Sequence, residues 1–408
     1  MADNTAINKK YLIVLVAALG YFVDAYDLIL FVVIRKSSLL DLNVPLESLS
    51  STGLNLFNIQ MIGTLLGGIF FGILGDKKGR LYVLFGSIMV YSLANLANGF
   101  VENIWQYSIL RFIAGFGLAG ELGAGVTLVS EIMPKEKRGY ATALVAAIGA
   151  AGAFTAGIVG DLTPWRYSFI IGGGMGLLLL FLRVGTFESG LFLKSEKENV
   201  SRGNFLQLFT HKDKLKRYLS CMLISLPIFF VITILMQLAP EIAAKLNIEG
   251  EVTAGKAVMF VYIGLTIGDL TSGLLSQWLR NRKKAIILFL IFSMVCCLLH
   301  LNSFSISLNL LFISYIVLGF SAGYWISLIT LAAEQFGTNI RATVATTIPN
   351  FARGAVVPIT FIYQGLMSLN DNDILKSALM VGILCFILAF AGTFFIKDTF
   401  SRDLDFTE

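Results

Sequence analysis

Six ionisable side chains lie inside long apolar stretches of this 408-residue chain. They are Asp24, Asp27, Arg111, Glu121, Asp269 and Arg353. A charged side chain at the centre of a bilayer costs about 2.5 to 3.5 kcal/mol unless it faces a partner or a cavity. The chemistry open to this set is proton binding by the carboxylates and anion binding by the arginines. The alternative is that they form buried ion pairs that only tie helices together.

Two of the carboxylates belong to one predicted helix, in the segment Tyr21-Phe-Val-Asp24-Ala-Tyr26-Asp27. A spacing of three residues places Asp24 and Asp27 on one helical face. At 1.5 Å per residue, Asp24 lies near mid-membrane. By the same count, Asp27 lies about 10 Å and Arg111 about 9 Å below the outer membrane surface. An Asp27–Arg111 ion pair is therefore expected if these helices face each other. We predict that Asp24 is the carboxylate that binds and releases a proton, with Asp27 and Glu121 as second choices and Arg111 as the counter-charge.

Arg353 lies about halfway through a later apolar run, as does Asp269. As a cation at this depth, Arg353 could bind an anionic substrate. Because Asp269 lies at the same depth, Arg353 could instead form a structural ion pair with it. Aromatic and amide side chains at comparable depth are candidates to line a substrate site, although each of them could equally be a packing or lipid-facing residue. These candidates are Tyr21, Tyr26, Gln60, Gln237, Tyr324, Trp325 and Asn350.

Composition indicates a membrane environment. The chain is 56% hydrophobic and 14% charged, more apolar surface than a water-soluble core can bury. Apolar runs of roughly 20 residues predict twelve transmembrane helices. The predicted spans are 11–34, 54–75, 82–100, 105–131, 139–161, 166–186, 218–239, 257–279, 284–301, 306–333, 341–368 and 374–396. Most loop lysines and arginines fall on one side of this map, which predicts that both termini are cytoplasmic and argues against nucleic acid binding.

An internal repeat divides the chain. The spacing from Glu131 to Arg138 after the fourth span recurs from Glu334 to Arg341 after the tenth. Residues 188–217 are polar and charged, so we expect a cytoplasmic connector between an N-terminal bundle at 1–187 and a C-terminal bundle at 218–408.

The loop Gly72-x-x-x-Asp76-Lys77-x-Gly79-Arg80 resembles the loop between the second and third helices of the major facilitator superfamily. The segment from Arg111 to Glu121, followed by Glu131-x-x-Pro134-x-x-x-Arg138, is similar to the fourth helix of its metabolite:proton and sialate/lactate:proton symporters. The resemblance implies an all-α membrane protein with twelve transmembrane helices, in two six-helix bundles related by pseudo-two-fold symmetry. It also implies a cytoplasmic latch. The latch residues would be Asp76, Lys77, Gly79, Arg80, Glu131, Arg138, Glu334 and Arg341.

The expected function is secondary active transport of a small polar metabolite, an organic anion, amino acid or zwitterion. We expect proton symport by alternating access, in a monomer of the cell (inner) membrane whose partners are substrate, protons and lipid. The alternative within this class is proton-driven transport of a siderophore or drug. A further alternative is a receptor or pore that keeps the fold but has lost coupling.

An enzyme is not expected, because the sequence has no clustered nucleophile, metal or cofactor constellation. Gly115-Phe-Gly-Leu-Ala-Gly120 matches a dinucleotide fingerprint but lies inside one apolar run, where glycines allow close helix packing. Gly250 to Lys256 lacks the Ser or Thr of a phosphate-binding loop. We therefore expect no cofactor and no metal.

Overall fold

A computed structural model of the chain describes residues 2–123, 125, 129, 133, 135–182, 211–336 and 338–400. For residues 2–12, 76, 80, 135–143, 146, 333, 338–343, 345 and 346 only the backbone is described. Within these ranges the regular structure is helical, without strands. The α-helices are α1 (Ala2–Asp41), α2 (Leu49–Lys78), α3 (Arg80–Asn98), α4 (Ile104–Leu118), α5 (Lys135–Leu162), α6 (Trp165–Leu182), α7 (Lys212–Phe230), α8 (Ala239–Lys245), α9 (Ala254–Trp278), α10 (Arg282–Leu301), α11 (Leu308–Ala322), α12 (Trp325–Glu334), α13 (Thr338–Gly354), α14 (Val356–Leu369) and α15 (Ile374–Phe395).

Helices occupy the predicted spans, with different boundaries. In the part of the chain that the structure describes, nine helical stretches are long and apolar enough to cross a membrane. Helix α7 begins at Lys212, so the last residues of the predicted connector belong to a helix, and residues 188–210 lie outside the described ranges. Side chains cap several helix starts: Asn103 accepts from Gln106 N at α4, and Asn281 accepts from Lys284 N at α10. Such caps satisfy backbone N–H groups that have no partner within the helix.

Three predicted spans are interrupted. The predicted span 306–333 is divided at Gly323 and Tyr324 into α11 and α12. The predicted span 341–368 is divided at Ala355 into α13 and α14. The predicted span 218–239 passes from α7 into a π-helical segment at Val231–Met236, after Pro227 has removed a backbone donor. Hydropathy alone cannot detect such breaks, since the apolar character continues through them.

Glycines allow two pairs of helices to cross at very short distance. A Cβ at Gly63 or Gly67 of α2 would overlap the carbonyls of Phe112 and Phe116 in α4. In the second part of the chain, Gly264 and Gly268 of α9 meet the carbonyls of α11 in the same way. Gly115 and Gly117 of α4 pack on Gln60 and Tyr91, and Gly120, just after α4, packs on Ser87. These contacts support the packing interpretation of Gly115 to Gly120.

Two ends of the helix bundle can be defined by their turns. The Gly79 end contains the α2–α3 junction, where Gly79 has a φ of +100° that favours glycine, and the α9–α10 turn at residues 279–281. The Asn247 end contains the turns at residues 42–48, 99–103, 246–253 and 370–373. Helices α5 and α9 pack on each other, as do α2 and α13. The first part of the chain, α1 to α6, is therefore in direct contact with the second part, α7 to α15.

Candidate functional site

The centre of the candidate site is an ion pair between α1 and α13. The Arg353 guanidinium donates from Nη2 to Asp24 Oδ2 at 2.8 Å and from Nη1 to Asp24 Oδ1 at 3.5 Å. Asp24 is completely buried and Arg353 is 4% exposed. The contact joins residues 329 positions apart and therefore links the two predicted bundles. An ion pair this deeply buried is stable only while both partners are present and charged.

The hypothesis that Arg353 pairs with Asp269 is wrong. Asp269 Oδ1 instead accepts from the backbone N–H of Ile326 at 3.2 Å, at the first turn of α12. The break at Gly323 and Tyr324 exposes this helix start to α9, and a carboxylate there satisfies an N–H group that the helix leaves open. Equal depth in the sequence could not show which carboxylate of another helix would meet Arg353.

The second buried charge pair lies wholly among the first six helices. Arg111 Nη2 is 3.5 Å from Asp27 Oδ1, and both side chains are 0% exposed. This is the ion pair expected from the matched depths. Arg111 also donates to Asn95 Oδ1 at 3.0 Å and to Gln60 Oε1 at 3.3 Å. The guanidinium lies 4.8 Å from the centroid of the Phe169 ring, a distance typical of cation–π contact.

Sequence analysis missed Asn95, which holds the Arg111 guanidinium from α3. The available signal was an amide inside the apolar run 82–100, where unpaired polar groups are costly. It likewise missed Ser87, whose hydroxyl donates to Glu121 Oε1 at 2.8 Å. Glu121 is 2% exposed and lies in a helical stretch directly after the turn at residues 119 and 120 that ends α4.

Three of the expected lining residues make hydrogen bonds to backbone carbonyls. Tyr26 and Tyr324 are fully buried packing residues, because their hydroxyls donate to Ser168 O at 3.0 Å and Ile224 O at 2.9 Å within their own parts of the chain. Asn350 makes a hydrogen bond between the two parts of the chain, because its Nδ2 donates to Ala119 O at 2.9 Å.

The remaining four candidates contact residues of several different helices. Gln60 is buried beside Arg111, and Tyr21 packs on Gly149. Trp325 makes an edge contact with Phe229 at 5.6 Å between ring centroids. The Gln237 side-chain amide is buried and makes no hydrogen bond within the described residues.

Of the predicted latch, the structure describes only some side chains. Glu334 accepts from Arg282 Nε at 2.7 Å and Nη2 at 2.8 Å, and from Thr399 Oγ1 at 2.6 Å. Lys77 is exposed and Gly79 forms the α2–α3 junction. The side chains of Asp76, Arg80, Arg138 and Arg341, and the whole of Glu131, lie outside the described residues.

Comparison with known proteins identifies the class. The family model of the Major Facilitator Superfamily matches residues 17–361, and the chain belongs to this family of transporters. It is a multi-pass membrane protein and not an enzyme.

Individual relatives are similar over most of their length. The chain is 26% identical to a putative metabolite transport protein of Haemophilus influenzae, over 83% of this chain and 84% of that one. It is 26% identical to the putative niacin/nicotinamide transporter NiaP of Bacillus subtilis, over 86% and 87%. It is 25% identical to the benzoate transport protein of Acinetobacter baylyi, over 84% and 80%.

The fold matches solved structures of the xylose transporter XylE from E. coli. An inward open form superposes with a TM-score of 0.74 at 18% identity, covering 97% of this chain and 98% of that one. A partially occluded inward open form gives 0.75 at 16% identity, covering 97% and 100%.

Proposed function

We propose that the protein is a proton-coupled symporter of a small carboxylate-bearing metabolite, working by alternating access in the cell membrane. The observation that carries this proposal is the buried Asp24–Arg353 pair, which joins α1 to α13 across the two predicted bundles. Arg353 is a cation suited to bidentate binding of a carboxylate, and Asp24 occupies it in this structure.

The proposed coupling is a competition for one guanidinium. When a substrate carboxylate binds Arg353, Asp24 loses its counter-charge in the buried interior. Proton uptake then removes the cost of a buried, unpaired carboxylate. Substrate and proton therefore enter together, and release of both restores the ion pair. Asp27, with Arg111 as counter-charge, and Glu121 are second candidates for the proton site.

The architecture we propose is twelve transmembrane helices in two six-helix bundles, with the site between them. The repeated glycine crossings of α2 with α4 and of α9 with α11 support it, because both pairs use the same type of contact. The two halves of spans interrupted at Gly323 and Ala355 then count as one transmembrane helix each.

The substrate class follows from the charge and from the relatives. Relatives are named for transport of benzoate and niacin, and 3-(3-hydroxy-phenyl)propionate gives its name to another. Benzoate, niacin and 3-(3-hydroxy-phenyl)propionate are small organic acids with a planar ring, and the aromatic residue Tyr21, on the same helix as Asp24, suits such a ring. None of the relatives named here refers to a siderophore or drug.

The test is uptake into proteoliposomes of radiolabelled benzoate and niacin, with an imposed proton gradient. We expect accumulation that collapses with a protonophore, and binding weakened at least about tenfold in Arg353→Lys, which keeps the charge but loses the bidentate geometry. Arg166→Lys is the matched control, since Arg166 pairs with Asp41 at the Asn247 end, away from the site.

Three outcomes would contradict the proposal. Uptake that does not depend on the proton gradient would contradict proton coupling. Substrate binding that is unchanged in Arg353→Lys would contradict the role of Arg353 as a substrate ligand. Transport restored to wild-type level by the neutral pair Asp24→Asn with Arg353→Gln would show that the ion pair is structural only.

A further inference from the structure

A partly buried ion pair also joins the two parts of the chain at the Asn247 end, where the sequence predicted no latch. Arg35, near the end of α1, pairs with Glu241 of α8. Arg35 is 2% exposed, and the Glu241 side chain is 23% exposed. Arg35 Nη2 also donates to the backbone carbonyl of Gln237 at 3.3 Å. One guanidinium thus holds both the end of the π-helical segment and the helix that follows it.

The surroundings of Arg35 are shaped for this contact. Gly53 of α2 lies against the Arg35 side chain, and a Cβ at this position would overlap its methylene groups. Ser50 Oγ donates to Glu241 Oε1 at 3.2 Å, so α2 contributes a hydrogen bond to the same carboxylate. Glu241 is therefore held from α1 and α2 at once, while its own backbone belongs to α8.

Further contacts between the two parts continue from this ion pair towards mid-bundle. Gln364 Nε2 donates to Asn55 Oδ1 at 3.2 Å, and Thr360 Oγ1 donates to Asn58 Oδ1 at 2.5 Å, both between α14 and α2. On the neighbouring α5–α9 contact, Thr253 Oγ1 donates to Asp161 Oδ2 at 2.8 Å at the exposed start of α9. The two parts are therefore closed against each other at this end.

We infer that Arg35 and Glu241 form the latch that keeps the Asn247 end closed, and that its release is required for this end to open. Any separation of α1 from α8 must break the pair and expose or re-solvate both charges. The ion pair also contacts Gln237, directly after the π-helical segment Val231–Met236, and π-helical turns are frequent at functional sites. The inference rests on the proposed alternating access, but its test needs neither substrate nor a proton gradient.

The experiment measures the distance across the Asn247 end in the purified full-length protein. Spin labels on Leu46→Cys and Lys245→Cys, both exposed, report the separation, in a background where the four native cysteines are alanine. We expect Arg35→Gln and Glu241→Gln each to raise the ratio of long to short distances about tenfold, the change given by a 1.4 kcal/mol shift. The swapped pair Arg35→Glu with Glu241→Arg should return most molecules to the short distance.

The chain offers a matched control at the same end. Asp41 and Arg166 form a 3.1 Å ion pair between α1 and α6, inside the first part of the chain, so Asp41→Asn should leave the distances unchanged. Gly53→Ala is a milder second variant that displaces Arg35 by contact and keeps every charge, for use if a neutralised variant fails to fold.

Distance distributions of Arg35→Gln, Glu241→Gln and Gly53→Ala that match Asp41→Asn would overturn the latch. A normal latch in a protein that shows no coupled uptake would instead contradict the proposed function alone. The two failures are therefore distinguishable.

Discussion

At the scale of single residues, the site depends on two arginines in different environments. Arg111 is held by Asp27, Asn95 and Gln60 among the first six helices, whereas Arg353 is held by Asp24 from the opposite part of the chain. The first arrangement has several partners, while the second has one carboxylate, which a substrate anion replaces in the mechanism we propose. We therefore assign coupling to Asp24 before Asp27.

Asp24→Asn should abolish accumulation driven by a proton gradient and leave substrate binding at least partly intact. The amide mimics the protonated carboxyl and frees the Arg353 guanidinium, but it cannot release a proton. Uptake and substrate exchange in proteoliposomes between pH 5 and 8 check this. Accumulation equal to wild type would move the coupling role to Asp27 or Glu121.

Asn95→Leu should disturb the buried Arg111 without touching the Asp24–Arg353 pair. Loss of the 3.0 Å hydrogen bond leaves a buried guanidinium with one fewer acceptor, and we expect a loss of stability of about 1.5–3 kcal/mol. Thermal unfolding in detergent measures the change. Leu93→Asn is the comparison variant. It makes the reverse change, from Leu to Asn, at a 50% exposed position of the same helix, away from Arg111.

At the scale of elements, the interrupted spans explain how polar groups occur at mid-bundle. The break before α12 leaves backbone N–H groups that Asp269 satisfies from α9. A structural role for this carboxylate removes it from the list of proton-binding candidates and gives a different expectation for its variants.

Asp269→Asn should behave like wild type, because the amide oxygen still accepts from Ile326 N. Asp269→Ala should lose about 0.5–2 kcal/mol, the usual cost of a missing helix cap. Thermal unfolding of both variants, with transport measured in parallel, separates the roles. Equal transport defects in the two variants, without loss of stability, would point to a functional carboxylate instead.

At the scale of the whole molecule, the loop cations predict a membrane orientation with both termini in the cytoplasm. An impermeant thiol reagent applied outside intact cells should label Asn247→Cys and spare Ser201→Cys, in a background without native cysteines. The opposite labelling pattern would place the termini outside and exchange the faces that the latch and the predicted cytoplasmic loops occupy.

The sequence by itself determined the membrane environment, the helical content and the family. These properties depend on composition, on runs of apolar residues and on local motifs such as Gly72 to Arg80, all of which are local in the chain. The Asp27–Arg111 pair was also within reach, because helix rise converts position into depth and both residues lie on early helices that pack together.

Only the tertiary structure decided which charges meet across the molecule. Asp24 and Arg353 are 329 residues apart, and Arg35 and Glu241 are 206 apart, so no local pattern relates them. Their contacts depend on the positions of α13 and α8, which are set by side-chain packing, by glycine crossings and by breaks such as that at Gly323. Depth along a helix axis follows from counting residues, but the direction in which a helix leans follows from all of its neighbours at once.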